Sequence, residues 1–137
     1  MYLLDTNVVS ELRRSRPDRS VIAWLSEIPA DQLFLSAVTL GELQAGVEIT
    51  RRQDRAKAEE IEAWVDVVAA TDAVLPVDGA AFRRWAKLMH GRADDLFEDA
   101  LIAATALVHG LTVVTRNVRD FEPLGARVLN PFRTASG

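Results

Sequence analysis

The stretch from Ala100 through Leu101, Ile102, Ala103, Ala104, Thr105, Ala106 and Leu107 to Val108 constrains the fold more than any other part of the chain. Its side chains are small and apolar on almost every helical face, so a helix formed there has no side to give to water. Thr105 interrupts the run, which is about half the ~20 residues needed to cross a bilayer. The remaining solution is a central helix covered on all sides, and that requires further layers of structure around it. The chain has 137 residues, 49% of them hydrophobic, enough for one compact domain with a substantial core and too little for two.

Short apolar runs alternating with helical patterns supply those layers. Tyr2-Leu3-Leu4 reads as a buried strand, after which Asp5, Thr6 and Asn7 can cap a helix begun by Val8 and Val9. Pro17-Asp18 opens a second helix, with Val21, Trp24, Leu25 and Ile28 on one face until Pro29 stops it. Leu33-Phe34-Leu35 is the next strand, and Ser36 or Thr39 starts a helix carrying Leu40, Leu43 and Val47. A longer amphipathic helix is predicted from about Arg51 to Ala70. Val74 to Val77 is a short strand, placed at an edge because Pro76 cannot donate to a ladder.

Asp78 then caps a helix through Phe82, Trp85, Leu88 and Met89 that Gly91 ends. Asp95 and Glu98 have the spacing of a capping box ahead of the central helix, which Gly110 terminates. Leu111 to Thr115 is a strand, Arg116 to Phe121 a turn or single helical turn, and Val128-Leu129 a last strand. Strands alternating with helices predict an α/β fold, a short parallel sheet wrapped by helices. One domain is expected over residues 1–132, with 133–137 as a flexible tail.

Several chemistries are excluded by composition. The chain has no cysteine, which removes disulfides, thiolate metal sites and cysteine nucleophiles. Any metal must be held by oxygen or histidine. His90 and His109 each precede a glycine, placing both at helix C-termini where an imidazole meets the dipole favourably. No G-x-S-x-G, Walker or dinucleotide motif appears. A net charge of −4 argues against binding nucleic acid by bulk charge, yet arginines cluster at Arg13, Arg14, Arg16 and Arg19 and again at Arg116 and Arg119. Asp5 interrupts the apolar opening too early for a signal peptide, so a cytoplasmic protein with no membrane segment is expected.

Four acids stand at comparable places. Asp5 ends the first strand, Glu42 lies in the early turns of a helix, Asp99 enters the central helix, and Asp120 follows the Leu111–Thr115 strand by a turn. Ligands of parallel α/β sheets bind beyond the strands' carboxyl ends, which would bring the four to one edge. Each acid also has a local alternative: an N-cap for Asp5, an exposed helix former for Glu42, the macrodipole for Asp99 and a turn for Asp120. Two carboxylates ~5 Å apart repel by about 3 kcal/mol at an effective dielectric of ~20, so a converged set takes up protons or recruits a divalent cation. All-oxygen ligation selects Mg²⁺ or Mn²⁺ over zinc, and such an ion can activate water against a phosphodiester.

Four segments in register carry a family resemblance: Leu3 to Leu12 with its Asp5-Thr6-Asn7, Ser36 to Leu43 with Glu42, Asp99 to Ala106, and Thr115 to Phe121. Together they strongly resemble PIN-domain toxins of the VapC type, especially the FitB-like branch, over nearly the whole chain. The resemblance implies a PIN-like fold and a Mg²⁺- or Mn²⁺-dependent endoribonuclease, the toxin half of a type II toxin–antitoxin pair. It implies Asp5 and Asp99 as principal metal ligands, Glu42 as the third acid, and Thr6, Asn7 and Thr115 as residues that orient the acids. Where many such domains carry Asp the chain has Asn117, which leaves Asp120 as the other source of the fourth charge. Arg116 is the expected phosphate holder. The implied partners are RNA, a cognate VapB-type antitoxin and a second copy in a homodimer or larger assembly, with no direct DNA binding by this chain. Two other classes stand beside this one: a phosphatase using Asp5 as nucleophile, and a non-catalytic module that only engages a partner.

Overall fold

A computed structural model describes residues 1–71 and 73–132. The expected tail at 133–137 lies outside the described residues. Five strands form one parallel sheet: β1 (Tyr2–Leu4), β2 (Leu33–Ser36), β3 (Val74–Leu75), β4 (Thr112–Val114) and β5 (Val128–Leu129). Their order across the sheet is β3-β2-β1-β4-β5. The first strand is therefore central, and the chain builds outward from it on one side, then crosses over and builds outward on the other. β1 pairs with β2 through Leu3↔Phe34 and Leu4↔Leu35, and with β4 through Leu3↔Val113 and Leu4↔Val114.

Alternation along these strands sorts two cores onto opposite faces. Leu4, Leu35 and Val114 face one cluster with Val8, Val21, Val47 and Val65. Leu3 and Val113 face the other, filled by Ala100, Ile102, Ala103 and Ala106 with Phe121 and Leu124. The first face is covered by α1 (Thr6–Val9), α2 (Arg19–Glu27), α3 (Ala37–Arg51) and α4 (Arg55–Ala69). The second is covered by α5 (Gly79–Met89), α6 (Phe97–His109) and α7 (Val118–Phe121). Residues Ala100 to Ala106 of α6 are all buried, as a helix apolar on every side must be. Its C-cap, Gly110, has φ 68°, a left-handed conformation that suits glycine and turns the chain directly into β4.

Two expectations differ from the structure. The helix predicted from about Arg51 begins at Arg55, because the Asp54 carboxylate accepts from the Lys57 amide and starts a new helix there, while α3 runs on to Arg51. The Asp95/Glu98 capping box does not form: α6 starts at Phe97 with Leu96 in the cap position and no side-chain cap. A short 3₁₀ turn over Asp94–Leu96 delivers the chain into α6 directly, leaving the Asp95 and Glu98 carboxylates free of that local task.

Candidate active site

In this sheet the chain reverses its direction of growth between β1 and β4, and a crevice opens at such a switch point beyond the strands' carboxyl ends. Asp5 follows β1 and Thr115 follows β4, so the two residues border that crevice. Ser36 ends β2 and caps α3 through the Val38 amide, which starts the helix so that Glu42 sits in its second turn. Asp99 lies in the first turn of α6. Asp120 lies in α7, on the segment that leaves β4.

Asp5 is held on both oxygens. Its Oδ1 accepts from the Thr6 amide at 2.8 Å, making Asp5 the N-cap of α1. Its Oδ2 accepts from the Thr115 hydroxyl at 2.7 Å and from Asn7 Nδ2 at 3.3 Å. Thr115 is fully buried, and its single hydroxyl is saturated: it donates to Asp5 and accepts from Asn7 Nδ2 at 3.3 Å and the Asn117 amide at 2.9 Å. Asn7 closes the ring by accepting from the Arg116 amide through Oδ1 at 3.3 Å. The Thr6 hydroxyl donates to Glu42 Oε1 at 3.0 Å and shares a longer bond with Thr39 at 3.2 Å. One three-residue segment, Asp5-Thr6-Asn7, thus reaches acids and hydroxyls from β1, α3 and the end of β4.

The acids respond to one another. Burial pushes the Asp5 carboxyl above its ordinary value, the bonds from Thr115 and Thr6 pull it back, and the charge of Asp120 raises it again. Glu42 is raised by burial, lowered by the Thr6 hydroxyl, and raised by Asp5 and Glu98. Asp99 is pushed up to about 6, first by burial and then by the charges of Asp5, Asp120, Glu42 and Glu98. Asp99 therefore lies within electrostatic reach of the other three expected acids, and Asp5 does so as well. Asp120 is the residue whose charge bears on Asp5 and Asp99, whereas Asn117 contributes its backbone amide and caps nothing with its side chain.

Glu98 is a fifth acid that sequence reasoning assigned elsewhere. The capping-box spacing concealed it, and its proximity to Glu42 becomes visible only once α3 and α6 pack together. Glu11 is another: its side chain is 4% exposed, and its Oε1 lies 3.4 Å from Arg14 and 4.0 Å from Arg116. A charged glutamate six residues past Asp5 carries no sequence signal of its own burial.

The donors suit a hard divalent cation. They are all oxygens, and their mutual charge raises the proton affinity of Asp99, which an added cation would relieve. Among the described residues no three acids or histidines are drawn tightly enough together to form a closed cage. The histidines take no part, since His90 is the C-cap of α5 and His109 the last residue of α6, both exposed.

One large cavity is plainly not the site. An apolar trough of about 630 Å³, lined by Val9, Leu12, Leu33, Val67, Val68 and Ala73 among others, contains none of the four acids. A smaller cavity of about 380 Å³ holds Asp120 together with Arg116, Asn117, Arg119 and Asn130.

The PIN domain model matches residues 2–125. The chain is 38% identical to the VapC ribonuclease Y4jK of Sinorhizobium fredii, over 98% of this chain and 100% of that protein. It is 36% identical to toxin FitB of Neisseria gonorrhoeae, over 96% and 99%. Its fold superposes on the crystal structure of FitAcB from Neisseria gonorrhoeae with a TM-score of 0.78 at 32% identity, covering 96% of this chain and 98% of that one.

Proposed function

The chain belongs to the PIN-domain family, and from that membership we propose that it is a metal-dependent endoribonuclease, the toxin of a VapBC-type toxin–antitoxin pair acting in the cytoplasm. The observation that carries this is the gathering of Asp5, Glu42 and Asp120 close enough for their charges to bear on Asp99 at the sheet's switch point, with Asp5 fixed by Thr115, Thr6 and Asn7. Asp5 and Asp99 would hold Mg²⁺ or Mn²⁺, assisted by Glu42, with Asp120 completing the charge. Such an ion supplies water activation and charge neutralisation at a phosphodiester.

The chain's own residues then have separate tasks. Thr115 and Asn7 fix the Asp5 carboxylate in one rotamer, so its oxygens need no reorganisation when a cation arrives. Thr6 does the same for Glu42. Asn7 also ties down the backbone of Arg116, whose guanidinium would hold a flanking phosphate. The products would carry a 5′-phosphate and a 3′-hydroxyl. A proteinaceous antitoxin is the expected partner, and a homodimer the expected assembly.

The test is cleavage of RNA by purified protein with Mg²⁺ or Mn²⁺. Asp5→Asn and Asp99→Asn are each expected to abolish cleavage while keeping the circular dichroism spectrum, and full metal-dependent activity in either would refute the assignment. The phosphatase alternative loses ground because Asn7 stands where a D-x-D phosphatase needs its second aspartate, and its side chain serves instead to hold Asp5 and Thr115.

A further inference from the structure

Glu11 is buried in an unfavourable way. Its Oε2 has no hydrogen-bond partner among the described residues, and its Oε1 faces two arginines that are themselves largely in water, Arg14 at 62% and Arg116 at 56% side-chain exposure. Pairs with such exposed partners add little stability, and a buried carboxylate with an unmet oxygen costs some. What Glu11 does accomplish is geometric: one oxygen bonds Arg14 at 3.4 Å and draws Arg116 to 4.0 Å, bringing the two guanidiniums to the same place. Arg116 is further fixed by stacking on Phe132, 4.0 Å from the ring centroid, and by its amide bond to Asn7.

These two arginines link two surface cavities. Arg116 lines the one that holds Asp120 at the site. Arg14 lines another, of about 440 Å³, with Arg13, Ser15, Arg16, Lys57 and Glu60. The second cavity is strongly cationic in a chain whose net charge is −4. A line of positive charge therefore leaves the acids at Arg116, passes over Glu11 to Arg14, and enters a polar basin with a single acid in its lining.

We propose that this line is a track for the backbone of single-stranded RNA, which runs from the cut site across Arg116 and Arg14 into the basin formed by Arg13, Arg16 and Lys57. The proposal rests on the ribonuclease reading for the identity of the strand. The track is polar and lacks aromatic lining in the basin, so it takes phosphates rather than bases and is tolerant of sequence. Glu11 is a positioning residue in it, keeping the two arginines side by side.

The test separates binding from cleavage by using the intact protein in chelator. The probe is a dye-labelled single-stranded RNA of mixed sequence and about 20 nucleotides, longer than the ~4 to ~16 nucleotides that such sites cover. Affinity is measured by fluorescence anisotropy between ~50 and ~200 mM salt. The combined variant Arg13→Gln, Arg14→Gln, Arg16→Gln is expected to make the slope of log affinity against log salt shallower by about 2. The double variant Arg13→Gln, Arg16→Gln leaves both partners of Glu11 in place and should lose about 1.4. Neutralising Arg83, Arg84 and Lys87 on α5 instead should leave the slope unchanged.

An unaltered slope in the first two variants, or an equal change in the α5 variant, overturns the track. If the basin serves an acidic protein segment, the RNA slope does not move, and the proposal falls in the same way. Restoring Mg²⁺ to the same samples tests cleavage separately. Cleavage with no change of slope sinks the track alone, and a changed slope with no cleavage under any divalent ion sinks the ribonuclease reading alone.

Discussion

Thr115 shows how one hydroxyl can set the state of a site. It is the first hydrogen bond to offset the burial of Asp5, and it also receives Asn7 and Asn117. Thr115→Val should raise the proton affinity of Asp5 and leave the Asn117 amide without its partner, at a cost of about 1 to 3 kcal/mol. Urea unfolding measures the loss, and a higher pH for half-maximal metal binding measures the shift. Asp99 gives the opposite kind of prediction. Its carboxyl is raised from 3.8 to about 6 in the folded chain, so the folded state binds the extra proton between those values. The stabilisation from Asp99 is full below pH ~4 and is lost as pH rises through ~6. Asp99→Asn should therefore raise the melting temperature of metal-free protein above pH ~6 and leave it nearly unchanged at pH ~4. After discounting a half-exposed group for screening, the gain is about 1 kcal/mol. The candidate acids that the fold brings near Asp99 were legible in the sequence because each adjoins an apolar run or lies near a helix start. Glu98 and Glu11 were not: a local motif claimed the first, and the neighbour that reveals the second, Arg116, is remote in sequence.

At the scale of elements, the strongest sequence signals survived folding with little change. The apolar run after Asp99 became the buried helix, because no other arrangement hides all its faces. Strand ends and caps at Asp5, Asp18, Ser36 and Asp78 held because a carboxylate or hydroxyl that meets helix amides is a local device. The join between α3 and α4 was less legible: helical periodicity continues across it, and only the Asp54 cap marks the break. Two substitutions probe these elements. Ala103 is fully buried against the sheet, so Ala103→Leu should overpack that layer and cost about 1 to 3 kcal/mol in urea unfolding. Gly110→Ala meets no atom within 4 Å, yet the φ of 68° remains, so the expected loss of about 1 kcal/mol is backbone strain alone.

For the whole molecule, the site is also a reserve of folding free energy. The acids repel one another when no cation is present, so divalent ions should raise the melting temperature of the wild type. At an ion concentration ~100 times the dissociation constant the gain is about 2.7 kcal/mol. Asp5→Asn and Asp99→Asn should each lose most of that ion-dependent rise in a differential scanning experiment, and an undiminished rise would place the ion elsewhere. The order of the strands has a consequence in time. β1 is made first, yet it lies between β2 and β4, and β4 arrives only at residues 112–114. A chain emerging from the ribosome can hold Asp5, Glu42 and Asp99 and still lack Thr115, Asp120 and the strand that forms the far wall of the crevice. A chain cut short before β4 therefore lacks the hydroxyl that holds Asp5 and the neighbour that pairs β1 on that side, so the site closes only when the last third of the sequence has been made.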